Sequence, residues 1–342
     1  MNEGPEVIAP PVAERAANAP ASPPQSQTRW GALLAFPVAT GLALGIHEVI
    51  SKGEMPVAVQ SYSVFLKIVL GLAVAATVVQ AFWPGLRRWM LHMGPILSGA
   101  AVLLMVWEVI TVGFRLLPMP YFPSPAGILQ SLVDDRNMIA DSTWHSLQLL
   151  LGGYGFGVLL GLIAGVCIGW FGAARYWGMP VLKVIGPIPA TAWVPLAMVL
   201  SPKGAASSSA MALIALAVWF PVTMLTASGI SNTRASFLDV AKTLGASRSY
   251  LIFRVAIPAA MPNIFIGLFM GLSASFLTLV VAETVGVSSG LGWYMQWAQS
   301  NSEYGKLYGA LVVMSAFFST IMTLLFKVRD RVLVWQKGTI KW

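Results

Sequence analysis

Charge is scarce in this sequence. Only 10% of its 342 residues are Asp, Glu, Lys or Arg, against roughly a quarter in a soluble domain, so water cannot be its main solvent. Cysteine is almost missing as well. Cys167 stands alone inside an apolar run, which excludes a disulfide framework or a cysteine metal site built from this chain by itself. His47, His92 and His145 are too far apart to set a metal-ligand spacing. No Gly-x-x-x-x-Gly-Lys-Ser/Thr occurs: Gly305-Lys306-Leu307 lacks both the preceding glycine and the hydroxyl, so ATP cannot be held here by a P-loop. Gly286-Val-Ser-Ser-Gly290 spells the hydrolase elbow, but it follows an apolar run rather than a strand and reads as a loop. Without a cluster of nucleophile, base or metal ligands, a membrane enzyme is not expected. The 21 Lys and Arg exceed the 13 Asp and Glu, yet they are scattered between apolar segments rather than gathered in a stripe, which argues against nucleic acid as a partner.

What is abundant is apolar length. A bilayer core about 30 Å thick takes around 20 residues of helix, and eight runs qualify: 30–50, 61–83, 94–114, 144–171, 179–200, 208–230, 261–285 and 307–328. Runs this long must be helices, because lipid offers no partner to backbone polar groups. The predicted fold is therefore all-α, a polytopic transmembrane helical bundle. Residues 1–29 carry six prolines and few large apolar side chains and are expected to form a disordered cytoplasmic tail. The first span is expected to be retained, since no basic, short-cored secretory signal precedes it. With the amino terminus inside, fourteen Lys and Arg fall on the cytoplasmic side and five outside. That bias predicts cytoplasmic termini, with residues 329–342 as a second tail.

Four local features carry mechanism. Gly153, Gly157, Gly161, Gly165 and Gly169 recur every fourth residue in the fourth span, a ridge that lets another helix approach closely. The sequence does not say whether that partner belongs to this chain or to a second copy. Pro187, Pro189 and Pro195 crowd the fifth span around Trp193. Each removes a helix hydrogen bond, so this span should be kinked or unwound, and irregular backbone at membrane depth is tolerated where it is buried in protein or lines a watery cavity. These four residues, with Ser275 and Glu283 of the seventh span, are the pathway-lining candidates. Glu283 also suits an interhelical hydrogen bond. His47 and Glu48 read as a polar end of the first span reaching the interface. Finally, the stretch 231–259 is too apolar for a solvated loop: Leu238, Ala241 and Leu244 share one helical face, Gly245 can end that helix, and Leu251, Ile252 and Val255 begin a second face. Two short helices across a glycine hinge make a surface knob, either a protein-docking element or a lid on its own bundle.

In that stretch Asp239-Val240-Ala241, Gly245 in register and the closing Val255-Ala-Ile-Pro258 resemble the EAA loop of ABC-importer permeases. Phe122-Pro-Ser-Pro125, Gly186-Pro-Ile-Pro-Ala-Thr-Ala-Trp-Val-Pro-Leu196 and Ala282-Glu-Thr-Val-Gly-Val-Ser-Ser-Gly-Leu-Gly292 are similar to the nitrate, sulfonate, taurine and bicarbonate branch. The resemblance covers about 94–342. It implies a six-helix permease core over 94–328 preceded by two additional helices at 30–83. It also implies ATPase coupling through Asp239, Ala241, Gly245 and Pro258, with ATP and Mg bound by a separate ATPase subunit and no cofactor in this chain. An extracytoplasmic substrate-binding protein, a permease homodimer, an inner-membrane location and a small anion as cargo follow from it as well. The rival reading, an ion-coupled secondary transporter, would require paired broken helices in two related halves, and only one proline cluster is present.

Overall fold

The computed structural model describes residues 30–50, 56–118, 120–200 and 206–335. The expected tail at 1–29 and the last residues of the expected carboxy-terminal tail, 336–342, lie outside them. Every regular element among the described residues is helical. Among the described residues seven helices are long and apolar enough to cross a membrane, and one further pair, bent by 84° at a break, makes an eighth span if counted as one crossing.

Two compact units divide the chain, Met1–Phe114 and Arg115–Trp342. The division expected from the sequence lies between 83 and 94. In the first unit, α1 (Trp30–Ile50) lies against both α2 (Pro56–Val79) and α3 (Pro84–Glu108). Pro84 starts α3, where the missing N–H is no loss, and α3 ends in one π-helical turn, Val109–Gly113. His47 does not reach an interface as expected. It is buried, paired through Nδ1 with the Glu108 carboxylate, and Tyr62 meets its ring edge-on at 4.9 Å. Glu48 faces the other way and pairs with Lys67 at 3.2 Å.

The second unit opens with α4 (Pro125–Asp134), whose N-cap Ser124 accepts a hydrogen bond from the Gly127 N–H. It continues with α5 (Arg136–Trp170), α6 (Gly172–Ile185), a 3-10 turn (Ala190–Trp193), α7 (Val194–Leu200), α8 (Ala206–Ser231) and the short α9 (Ala235–Thr243). It is completed by α10 (Ile257–Gly286), α11 (Leu291–Ser300) and α12 (Tyr304–Val332).

The glycine ridge organises this unit. All five glycines are buried, and a Cβ on Gly153, Gly157, Gly161, Gly165 or Gly169 would come within 2.5–2.9 Å of Ile214, Ala215, Val222, Thr226 or Ile230 of α8. The partner is therefore in the same chain. Because the numbers rise together on both helices, α5 and α8 run parallel. The chain between them must recross the bundle, which makes the broken α6–α7 pair a single span. The contacts of Gly229 with Ala260 and of Gly271 with Val218 run in opposite order, so α10 is antiparallel to α8. Ring pairs Phe269–Phe326 and Phe276–Phe318, both 4.3 Å apart, make α12 antiparallel to α10 in turn.

These directions sort the charges. Where α5, α8 and α12 end and α10 begins lie Arg175, Arg234, Lys242, Arg248, Arg254, Lys327, Arg329 and Arg331 against Asp239 and Asp330, while Asp134, Asp135, Asp141 and Glu303 lie at the opposite end with Arg136 and Lys306. Arg175 closes the basic end: its guanidinium donates to Gly169 O (3.0 Å) and to Ser231 Oγ, tying the last turns of α5 and α8, where a cation also suits the helix dipoles.

Candidate functional site: a docking knob and a broken span

The knob at the basic end begins with α9. Its end is a Schellman turn: Gly245 adopts φ +80°, its N–H donates to Lys242 O (2.9 Å), and Ala246 N–H donates to Ala241 O (3.0 Å). A side chain at position 245 would strain this left-handed conformation. Ser247 then caps the next turn by accepting from the Tyr250 N–H. That turn, Arg248–Tyr250, runs through a π segment, Leu251–Ala256, directly into α10. The second half of the knob is thus the extended start of a span rather than a separate short helix. Pro258 stands in the first turn of α10 and, lacking an N–H, cannot bond back to Arg254, which suits the wide turn before it.

Side-chain positions refine the reading of this loop. Asp239 is exposed and pairs with Lys242 at 3.1 Å; Ala241 is half-buried. The free apolar face consists of Phe237, Val240 and Leu244, joined across the turn by Tyr250 and Phe253, and Leu244 is 82% exposed. The face expected from Leu238, Ala241 and Leu244 is thus rotated by one residue, and Leu251 is buried instead of displayed. Phe237 and Phe253 were not picked out from the sequence, although their spacing from Val240 and Tyr250 was available there.

The broken span supplies the second half of the site. Gly186 N–H still bonds to Leu182 O, Ile188 N–H reaches only Ile185 O, and Ala192 N–H reaches Pro189 O, so the helix gives way over 186–190 and resumes at Val194. Beside the break is a cavity of about 340 Å³, lined by Pro189, Thr191 and Trp193 from the break, Phe220 from α8, and Ala274 and Thr278 from α10. No charged side chain lines it among the described residues. The Trp193 indole N–H is buried and has no hydrogen-bond acceptor among them.

Of the pathway candidates, Pro189 and Trp193 line this cavity, whereas Pro187, Pro195, Ser275 and Glu283 do not. Ser275 is fully buried and donates to Leu272 O (2.7 Å), with Thr278 one turn on facing the cavity in its place. Glu283 is fully buried too. Its Oε1 accepts from Ser146 Oγ of α5 (2.6 Å) and its Oε2 from the Gly292 N–H of α11 (2.7 Å), the interhelical arrangement rather than a mouth.

Residues 157–333 match the family described as binding-protein-dependent transport system inner membrane component. This chain belongs to that family. It is 32% identical over 214 residues to a probable ABC transporter permease protein of Haemophilus influenzae, covering 62% of this chain and 86% of that one. Against the taurine transport system permease protein TauC of Escherichia coli the identity is 30%, over 63% of this chain and 78% of the relative. Against the putative aliphatic sulfonates transport permease protein SsuC of Bacillus subtilis it is 28%, over 75% and 91%. Among solved structures, an inward-facing conformation of the MetNI methionine ABC transporter aligns with a TM-score of 0.50 at 14% identity, over 58% of this chain and 98% of that one, a likeness of fold. The chain is thus an ABC-importer permease subunit with the helical fold of such permeases, a multi-pass protein of the inner membrane. It is not itself an enzyme.

Proposed function

We propose that this permease couples ATP hydrolysis by a separate ATPase subunit to inward movement of a small anion delivered by an extracytoplasmic binding protein. The observation that carries the reading is the knob: Phe237, Val240, Leu244, Tyr250 and Phe253 are exposed together on a rigid, Schellman-ended turn at the basic end. Outside lipid, such a face needs a protein partner. Asp239, Ala241, Gly245 and Pro258 shape it rather than supply most of its contact area. By the positive-inside rule the basic end is cytoplasmic, the side on which an ATPase groove could receive the knob, and the charge bias of the whole sequence favours cytoplasmic termini. ATP and Mg belong to that partner.

A second copy of the chain covers the exposed side of the break. Tyr176, Trp177, Val184, Ile188 and Val199 are all at least 41% exposed around it, and irregular backbone at membrane depth cannot face lipid. The cavity beside Trp193 then opens between two copies, and solute passes there. With no cation in the lining among the described residues, the permease contributes little to choosing the anion. Taurine or another sulfonate is the favoured cargo, because relatives named for them are 28–30% identical; nitrate is the next choice.

The test is co-purification. Gly245→Pro or Asp239→Lys should abolish capture of the ATPase while the chain still inserts in the membrane and elutes as a folded particle. Full capture and uptake by both variants would sink the coupling role.

A further inference from the structure

Helix α11 has no cap of its own. Gly290, at its N-cap position, has no side chain and adopts φ +126°; an added Cβ would lie 2.5 Å from the Glu283 carboxyl carbon. The first free N–H groups of a helix need partners when buried, and here they come from two other helices. Leu291 N–H donates to Ser146 Oγ of α5 (2.8 Å), Gly292 N–H donates to Glu283 Oε2 of α10 (2.7 Å), and Ser146 Oγ donates to Glu283 Oε1 (2.6 Å). Ser146 and Glu283 are both fully buried.

The arrangement is a poor choice for stability alone. The Glu283 carboxylate has no cationic side chain bonded to it among the described residues and is held by a hydroxyl, an amide N–H and the positive end of α11. A well-packed apolar group would seal such a junction at least as well. A buried intramembrane carboxylate is kept where it acts.

Beyond its first N–H groups α11 is also held by polar contacts. Tyr294 Oη donates to Asp135 Oδ2 (2.8 Å), and Lys306 pairs with Asp135 (3.1 Å) and Glu303 (2.7 Å) under the Trp297 ring. Burial, together with the Asp135 carboxylate that accepts its hydrogen bond, holds the Tyr294 hydroxyl well above its ordinary titration range, so it stays a donor. Along α11 only a narrow underside, Leu291, Gly292, Tyr294 and Ala298, is buried. The α5–α8 contact, by contrast, is a continuous row of glycine against backbone. It cannot exchange its partners for water; the polar contacts of α11 can.

We propose that Ser146 and Glu283 form a releasable latch on α11, made in this conformation and broken during the transport cycle. Glu283 is then a positioning residue, acting through α11 and not on the solute. The inference rests on the importer reading and on the topology above, which puts α11 at the outer face.

The test uses the full chain expressed with its ATPase in intact cells, in a Cys167→Ser background, with Ala298→Cys beneath α11 and, separately, Ser300→Cys on its exposed end as reference. A membrane-impermeant maleimide should label position 300 at one rate throughout, and position 298 about tenfold faster during ATP turnover than after ATP depletion. Adding Glu283→Ala or Ser146→Ala should make position 298 fast in both conditions. Glu283→Gln should restore protection, because its amide can accept from Gly292 and donate to Ser146. Labelling of position 298 that ignores ATP, in a chain that still supports ATP-driven uptake, overturns the latch and leaves the importer reading standing. Absence of uptake in the unsubstituted chain overturns the importer reading and the latch with it. If Glu283→Ala does not accumulate, the ATP dependence measured with the native latch decides alone.

Discussion

The α5–α8 pair and the α6–α7 span that joins its ends were made from the same apolar alphabet and behave in opposite ways. Along α5 five glycines repeat in step with the helix, and α8 answers with Ile214, Val222, Thr226 and Ile230 in the same step, so the two backbones lock over five turns. In lipid, where apolar burial gives little, such close packing is the main source of affinity between helices. Between them, three prolines in nine residues forbid the same regularity, and the chain bends by 84° beside a cavity. Regular small residues make a bundle rigid; removed backbone donors make the part of it that can open.

The comparison breaks most severely at the ridge. Gly161→Leu should be destabilising by about 3 kcal/mol or more, since its side chain meets Val222 and the Trp219 carbonyl with nowhere to go. Leu159→Phe, on the exposed face of the same helix, should be tolerated, and melting in detergent separates the two. Equal melting would mean that the ridge is not a packing surface.

At the break the expected effect is on transport instead. Pro187→Ala with Pro189→Ala restores two N–H donors and lets the span straighten, so uptake by the assembled transporter should fall by about tenfold while the melting temperature holds. Unchanged uptake would show that the bend is a packing detail.

The smallest effect sharpens the view of the rigid pair. Thr226 packs its Cβ and methyl against Gly165, and its hydroxyl is buried with no hydrogen-bond partner among the described residues. Thr226→Val keeps the shape without the orphan group and should be neutral or stabilising by up to about 1 kcal/mol. A loss of stability would reveal a partner for that hydroxyl.

Much of this was legible beforehand, for identifiable reasons. Span count follows from the length of apolar runs, and the bend in the fifth span from prolines that remove donors whatever surrounds them. Gly245 as a helix end follows from a conformation only glycine adopts cheaply. Less legible was anything set by rotation of a helix about its own axis. The free face of α9 is Phe237, Val240 and Leu244, one residue away from expectation, because the pattern of α9 alone does not say which side of a short surface helix meets the rest of the chain. Ser275 and Thr278 are three residues apart on one helix, and nothing in their identity says which one meets a cavity.

The sequence by itself determined that this is a helical membrane protein with eight apolar runs, a glycine ridge, a broken span and a glycine-ended helix in the apolar stretch 231–259, since each is a property of consecutive residues and their spacing. Tertiary structure alone decided that the ridge meets α8 of the same chain, in parallel. It also decided that His47 and Glu108 share a buried pair and that Glu283 caps α11 together with Ser146. These contacts join residues 61 and 137 positions apart in the cases of His47–Glu108 and Ser146–Glu283. No local pattern encodes a partner at such distance; it is chosen by which helix faces are left to each other once the bundle has packed.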